Sequence, residues 1–168
     1  MHLIIDGYNL LHVTRSLTQL SSVELQLERD QLINQVSVYR QLKSYEITVV
    51  FDGWQGGWST EKKERKKGIE VIFSKLGEKA DEVIKRLVKE KGSGAIVVTS
   101  DREVSKYAER MAAAVIPSDQ FKEKIERSDL KIEKGFEEEE EERGFKRKGP
   151  SRRLSKKERR LKAALKKL

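Results

Sequence analysis

The sequence predicts an α/β protein built on a mostly parallel central sheet with helices on both faces. Short apolar runs rich in β-branched residues alternate with segments of helical periodicity along most of the chain. Such alternation argues for parallel strands, because parallel neighbours need crossover connections that are usually helices. Several of the apolar runs also end directly in aspartate, which places those carboxylates at one edge of the expected sheet.

Leu3-Ile4-Ile5, closed by Asp6-Gly7, reads as the first strand and its turn. Leu25, Leu32, Val36 and Tyr39 recur at helical spacing between Ser22 and Lys43, with Ser22 as a plausible N-cap. Ile47 to Phe51, closed by Asp52-Gly53, is the second strand, and Ile69 to Phe73 the third. The charged run between them, Glu61 to Lys67, reads as a solvated helical face or a phosphate-holding patch. Ala80, Val83, Ile84, Leu87 and Val88 form the stripe of an amphipathic helix that Gly92-Ser93-Gly94 stops. Ala95 to Thr99 is a fourth strand, Asp101 to Met111 a helix, Ala114 to Ile116 a short fifth strand, and a helix capped by Ser118 continues through Arg127.

The remaining chain differs in composition. Residues 143–168 carry 13 Lys and Arg against the single acid Glu158, whereas residues 1–142 are net negative. The sequence therefore divides into a domain over 1–128, an acidic linker over 129–150 containing six consecutive glutamates, Glu137 to Glu142, and a basic amphipathic helix over 151–168. In that helix Ser155 to Glu158 matches a capping box, and Leu161, Ala164, Leu165 and Leu168 follow at helical spacing. A tail this basic points to RNA or another polyanion, through Arg152, Arg153, Lys156, Lys157, Arg159 and Arg160. Its apolar face lacks Trp and Phe, which argues against a membrane. Deleting residues 143–168 is accordingly expected to weaken RNA association and spare cleavage of a saturating short RNA. The glutamate run is expected to compete with RNA for the basic helix.

Composition narrows the chemistry. Cysteine is absent, which removes disulfides, thiolate metal sites and cysteine nucleophiles, and His2 and His12 are the only imidazoles. No signal peptide or membrane span is visible, so the cytoplasm is the expected compartment. What remains is carboxylates. Asp6, Asp52 and Asp101 follow strands, and Asp81 joins them if the third strand feeds the same edge. Like charges in one pocket raise one another's pKa values, and a hard divalent ion relieves that cost. Magnesium selects carboxylate oxygens and water and can activate a water against a phosphodiester, so metal-assisted phosphodiester hydrolysis is the expected class. Each residue taken singly has a plainer reading: Asp-Gly pairs make turns, Asp81 favours a helix dipole, and Asp101 can be an N-cap.

Asn9 can orient a water or a phosphate oxygen, or simply cap a turn. Glu103 can extend the cluster or be a solvated first-turn residue. Tyr8, Trp54 and Trp58 lie just beyond strand ends, where rings can stack on unpaired bases or anchor a loop. Lys62, Lys63, Arg65, Lys66 and Lys67 stand beside the Asp52 loop as candidates for a backbone phosphate.

Asp6-Gly7-Tyr8-Asn9-Leu10-Leu11, Phe51-Asp52-Gly53, Glu78-Lys79-Ala80-Asp81-Glu82-Val83-Ile84 and Val98-Thr99-Ser100-Asp101-Arg102-Glu103 occur in the order found in YacP-like NYN-domain proteins. The chain resembles that family over roughly residues 1–127. The resemblance implies a PIN-like, Rossmannoid three-layer α/β sandwich and an endoribonuclease dependent on Mg2+ or Mn2+. Asp6, Asp81 and Asp101 match the family's acidic metal-site positions, and Asn9 and Asp52 match neighbouring motif positions. RNA is the implied partner, and the ribosome a further one, since some members are ribosome-associated nucleases. This chain departs from those members after Arg102, running quickly through Met111-Ala112-Ala113-Ala114 to Ile116-Pro117-Ser118, and it carries the 129–168 extension. The competing readings are an RNA- or ribosome-binding adaptor with an unused acidic pocket and, last, phosphoryl-acceptor chemistry at Asp52. Oligomeric state is left open.

Overall fold

The computed structural model describes residues 1–13, 16–17, 19–53, 58–133 and 156–167. Six strands form one sheet: β1 (His2–Asp6), β2 (Glu46–Phe51), β3 (Lys62–Lys66), β4 (Ile69–Phe73), β5 (Ala95–Val98) and β6 (Ala114–Ile116). Their order is β3-β4-β2-β1-β5-β6, with β3 antiparallel to β4 and the other pairs parallel. The helices are α1 (Gly7–His12), α2 (Ser22–Leu42), α3 (Ala80–Lys91), α4 (Arg102–Arg110), α5 (Ser118–Glu133) and α6 (Lys156–Lys167).

Alternate side chains of each central strand enter opposite faces, as the period of a strand demands. Leu3, Ile5, Phe51, Val71 and Phe73 join Leu32, Tyr39, Phe121 and Ala164 in the larger core, under α1, α2, α5 and α6. Ile4, Val50, Ile72 and Val97 join Val83, Ile84, Val104 and Ala108 in the smaller one, under α3 and α4. The near-continuous apolar runs read in the sequence are thus strands covered on both faces. The chain lays β2 and β4 down on one side of β1 and β5 and β6 on the other. The direction of winding therefore reverses beside β1, where open α/β sheets form a crevice at the carboxyl ends of their strands.

Four features differ from the sequence reading. The run Glu61 to Lys67 contains an edge strand rather than a helical face: β3 pairs in register with β4, Lys62 opposite Phe73 and Lys66 opposite Ile69. Charged side chains suit an edge strand because they deter pairing with another chain. The six-residue helix α1 follows Asp6 directly. The α2 N-cap is Ser21 in place of Ser22, in a reciprocal capping box with Glu24. Helix α5 continues past Arg127 to Glu133. Most of the 129–150 segment, Ser155 of the tail's capping box, and Leu168 lie outside the described residues.

The basic helix α6 packs along β6, the opposite edge strand, and buries Ala164 to 3% exposure, with Leu161 and Leu165 against the larger core. Its apolar stripe covers a sheet edge and its core. Among the described residues no helix is long and apolar enough to cross a membrane.

Candidate active site

The site grows from three helix N-termini that meet at the carboxyl edge of the sheet, each held by an aspartate. Asp6 ends β1 and caps α1, accepting the Asn9 backbone N–H at 3.1 Å. Asp101 follows β5 and caps α4, one oxygen accepting the N–H groups of Glu103 at 2.7 Å and Val104 at 3.0 Å. Lys79, at the N-cap of α3, makes no side-chain cap; Asp52, from the loop after β2, accepts the Ala80 N–H at 2.6 Å in its place. Aspartates placed on the positive ends of helix dipoles are tolerated close together, which explains how one edge carries so many.

The capping roles and the cluster are therefore the same arrangement. Each capping oxygen leaves its partner oxygen facing elsewhere, and Asp81, in the first turn of α3, accepts no hydrogen bond from the described residues. Asp6 is 5% exposed, and its second oxygen accepts the Thr99 hydroxyl at 3.1 Å. Thr99 Oγ1 in turn accepts the Asp101 N–H at 3.1 Å, so one threonine links the two strand-end aspartates. Burial, reinforced by the Asp81 and Asp52 charges and opposed by the Asn9 and Thr99 hydrogen bonds, pushes the Asp6 carboxyl up to about 6. Asp81 is raised as well, first by burial and then by Asp101 and Asp52, with Lys85 and Lys79 opposing. Asp6 thus feels the Asp81 and Asp52 charges, and Asp81 those of Asp101 and Asp52. Among the described residues no three acidic or imidazole side chains already form a metal cage.

Two contacts fix this edge. Asn9 Oδ1 accepts the Ser100 N–H at 3.1 Å, tying α1 to the segment after β5. Gly53 donates its N–H to Ser74 Oγ at 3.0 Å, and Ser74 Oγ donates to the Glu78 carbonyl at 2.7 Å. A Cβ on Gly53 would stand 1.9 Å from the Ser74 carbonyl oxygen, a backbone atom that cannot swing aside. Gly53→Ala is therefore expected to push the Asp52 loop off α3, destabilising the fold by about 1–3 kcal/mol. A chemical denaturation series on both proteins checks this; equal midpoints would contradict the close approach.

Beside Asp6, Tyr8 takes hydrogen bonds from Arg29 Nε at 3.0 Å and from Arg29 Nη2. Arg29 is 7% exposed, and its guanidinium lies 5.4 to 5.8 Å from the ring centres of Tyr8, Phe51 and Phe73. Burial raises the Tyr8 phenol, against the opposing pull of Arg29. Sequence reasoning misses Arg29, although it falls on the Leu25, Leu32 and Val36 stripe of α2, where a charged residue signals a special environment. The Thr99 link between Asp6 and Asp101 likewise leaves no signal in the spacing.

The candidate RNA contacts divide. Trp58 anchors its loop, edge-on to Phe73 at 5.3 Å between ring centres and covered by Lys62 Nζ at 4.6 Å, which leaves it a poorer stacking platform than expected. The antiparallel register sets Lys62 at the carboxyl edge beside Phe73 and carries Lys66 and Lys67 toward the far edge of the sheet. Lys62 and Lys66 pair with Glu64, Lys66 also with Asp30, and Lys63 with Glu61. Arg65 is exposed on the same strand. Glu103 pairs with Lys85 at 2.6 Å on the surface, the solvated role. Lys156, Lys157 and Arg160 of α6 line a cleft that reaches Thr99 and Ser100, while Arg159 is exposed. Trp54, Arg152 and Arg153 lie outside the described residues.

This chain matches known proteins over most of its length. A crystal structure of a point mutant of Rae1 (YacP) from Bacillus subtilis superposes with a TM-score of 0.66 and 26% identity over 79% of each chain. A second crystal structure of Rae1 (YacP) from Bacillus subtilis gives 0.63 and 27% identity over 80% of this chain and 78% of that one. The uncharacterized protein YacP of Bacillus subtilis (strain 168) is 35% identical over 85 residues, 51% of this chain and 49% of the relative, so the match spans about half the length of that curated relative. The family model for the YacP-like NYN domain matches residues 3–167, and so runs through α6, beyond the residues 1–127 on which the sequence resemblance rests. With a mostly parallel sheet and its aspartates gathered at the carboxyl edge, the chain belongs to the YacP-like NYN domain family, whose fold is that of the PIN-like nucleases.

Proposed function

We propose that this protein is a divalent-metal-dependent endoribonuclease that hydrolyses phosphodiester bonds of single-stranded RNA. The observation that carries this reading is the convergence of Asp6, Asp52, Asp81 and Asp101 on the crevice beside β1, with the Asp6 and Asp81 carboxyls raised by burial and by their neighbours' charges. A donor set made wholly of carboxylate oxygens suits Mg2+ or Mn2+. Raised pKa values in a crevice are the mark of groups assembled for a cation or for proton transfer.

Asp6, Asp81 and Asp101 are the residues to hold the ion, which when bound supplies Lewis-acid activation of water and of the phosphate. The protein's own part is positional. Asp52 fixes the start of α3 and thereby Asp81; Thr99 links Asp6 to the Asp101 backbone; Asn9 holds the Ser100 segment. The partly sheltered edge lowers the local dielectric, so charges developing on a phosphate are stabilised more strongly than in water.

The competing reading is an RNA-binding adaptor whose acidic edge is unused, favoured by the cations of α6 beside the crevice. Calorimetric titration with Mn2+ separates them. The nuclease reading predicts saturable binding that weakens at least tenfold in Asp81→Asn, together with RNA turnover. Salt-sensitive RNA binding with no saturable Mn2+ uptake and no turnover is the adaptor's result.

A further inference from the structure

A cleft of about 370 Å3 opens between α6 and the segments that follow β5 and β6. Lys156, Lys157 and Arg160 form one wall and Ser100, Ser105 and Glu109 much of the other. Lys157 Nζ lies 2.8 Å from Glu109, which neutralises it. Lys156 and Arg160, one helical turn apart on the same face, make no ion pair among the described residues and bring uncompensated positive charge to the wall.

Two further observations give this charge a purpose. The helix carrying it is seated, with Ala164 buried and Leu161 and Leu165 packed on the core, so its cations are held at a fixed place on the domain. The cleft also touches the acidic site through shared residues. Thr99 in its lining donates to Asp6, the Ser100 N–H donates to Asn9, and the Ser105 hydroxyl donates to the Asp101 carbonyl at 2.6 Å. An edge built of aspartates repels a polyanionic strand on both sides of the reacting phosphate. Fixed cations one step away offset that repulsion and set the strand's path.

We infer that this cleft is a phosphate subsite, in which Lys156 and Arg160 hold a backbone phosphate of single-stranded RNA beside the bond to be cut. The choice of RNA rests on the function proposed above; the cationic cleft does not. The subsite acts on binding, so its residues tune KM and leave the chemical step to the aspartates.

The test uses the full chain with the double variant Lys156→Gln/Arg160→Gln, which removes charge and keeps the aliphatic stems. Cleavage of a short fluorescent single-stranded RNA in Mn2+ should show KM raised about tenfold with kcat within about twofold. Its binding in EDTA should show a plot of log affinity against log salt shallower by about 0.7, the value for one phosphate contact on a single strand. Glu109→Gln, which frees Lys157, should tighten binding instead, and this second variant keeps the test sharp if the first is poorly folded. Millimolar inorganic phosphate should not displace the RNA; displacement would assign the cleft to a free anion and overturn the RNA subsite. Wild-type cleavage with unchanged KM and salt slope in a folded double variant would overturn the subsite and leave the nuclease standing. Absence of wild-type cleavage, with EDTA binding still weakened in the double variant, would do the reverse.

Discussion

Asp6→Asn is expected to lower RNA cleavage by roughly a hundredfold or more while making the metal-free protein more stable. Both effects have one cause. A carboxylate 5% exposed among other acids is costly to ionise, and its pKa of about 6 measures that cost against the ordinary 3.8. A raised folded-state pKa means the folded chain binds the proton more tightly than the unfolded one. The stability this lends is full below about pH 3.8 and is lost as pH rises through about 6. At pH 8 the ionised Asp6 therefore costs the metal-free fold up to about 3 kcal/mol. Asparagine is isosteric and uncharged, so in EDTA the variant should melt higher than wild type at pH 8 and level with it near pH 4. Added Mn2+ should raise the melting temperature of wild type and do so much less for the variant, because only binding to the folded state stabilises. An equal melting temperature at pH 8 in EDTA would contradict the burial argument.

Removing α6 is the second large effect. The sequence alone treats the basic tail as a separable RNA handle, whose deletion spares cleavage. The structure adds a packing role, because Ala164, Leu161 and Leu165 close the larger core and α6 covers the edge strand β6. Ending the chain at residue 142 uncovers that apolar surface and an unpaired strand edge, at a cost of about 2–5 kcal/mol. That is a large share of the stability of a domain, which is typically about 5–15 kcal/mol. The melting temperature should fall by about 10 °C, and cleavage should decline with it. Ala164→Asp, which buries an unpaired charge in a full-length chain, should do the same. Melting curves of the truncation, Ala164→Asp and Lys156→Gln/Arg160→Gln separate packing from charge: the first two fall and the third stays near wild type. Unchanged melting of the truncation would show that α6 is not part of the folded unit.

How much of this was legible depended on whether the signal was local. β1, β2, β4, β5 and β6 announced themselves as apolar runs because both faces of each are covered. β3 did not, since Lys62 to Lys66 contains no apolar residue and its pairing partner is β4 across a turn. α1 was too short to show a period and begins at Gly7, which is there because a Cβ would meet the Phe51 ring at 2.3 Å. The aspartates were legible from their positions after strands, but not their shared construction. Asp52 caps a helix 28 residues away, and Thr99 reaches Asp6 across 93 residues, so neither contact leaves a trace in spacing. The plain capping reading holds for both strand-end aspartates: Asp101 caps α4 with one oxygen, and Asp6 caps α1 with one oxygen while the other takes the Thr99 hydroxyl. Arg29 and the Leu161, Ala164 and Leu165 stripe were visible in the periodicity; what they pack against was not.

The proposed hydrolytic centre for RNA is the group of aspartates gathered beside β1. The most direct measurement is the cleavage rate of a short single-stranded RNA by wild type, Asp6→Asn and Asp101→Asn, purified identically and assayed with Mn2+, with Mg2+ and in EDTA. Wild type should cleave internally with either ion and not in EDTA, and both folded variants should lose about a hundredfold or more. Equal rates in all three proteins, or cleavage that persists in EDTA, would rule out a metal-dependent centre at these aspartates.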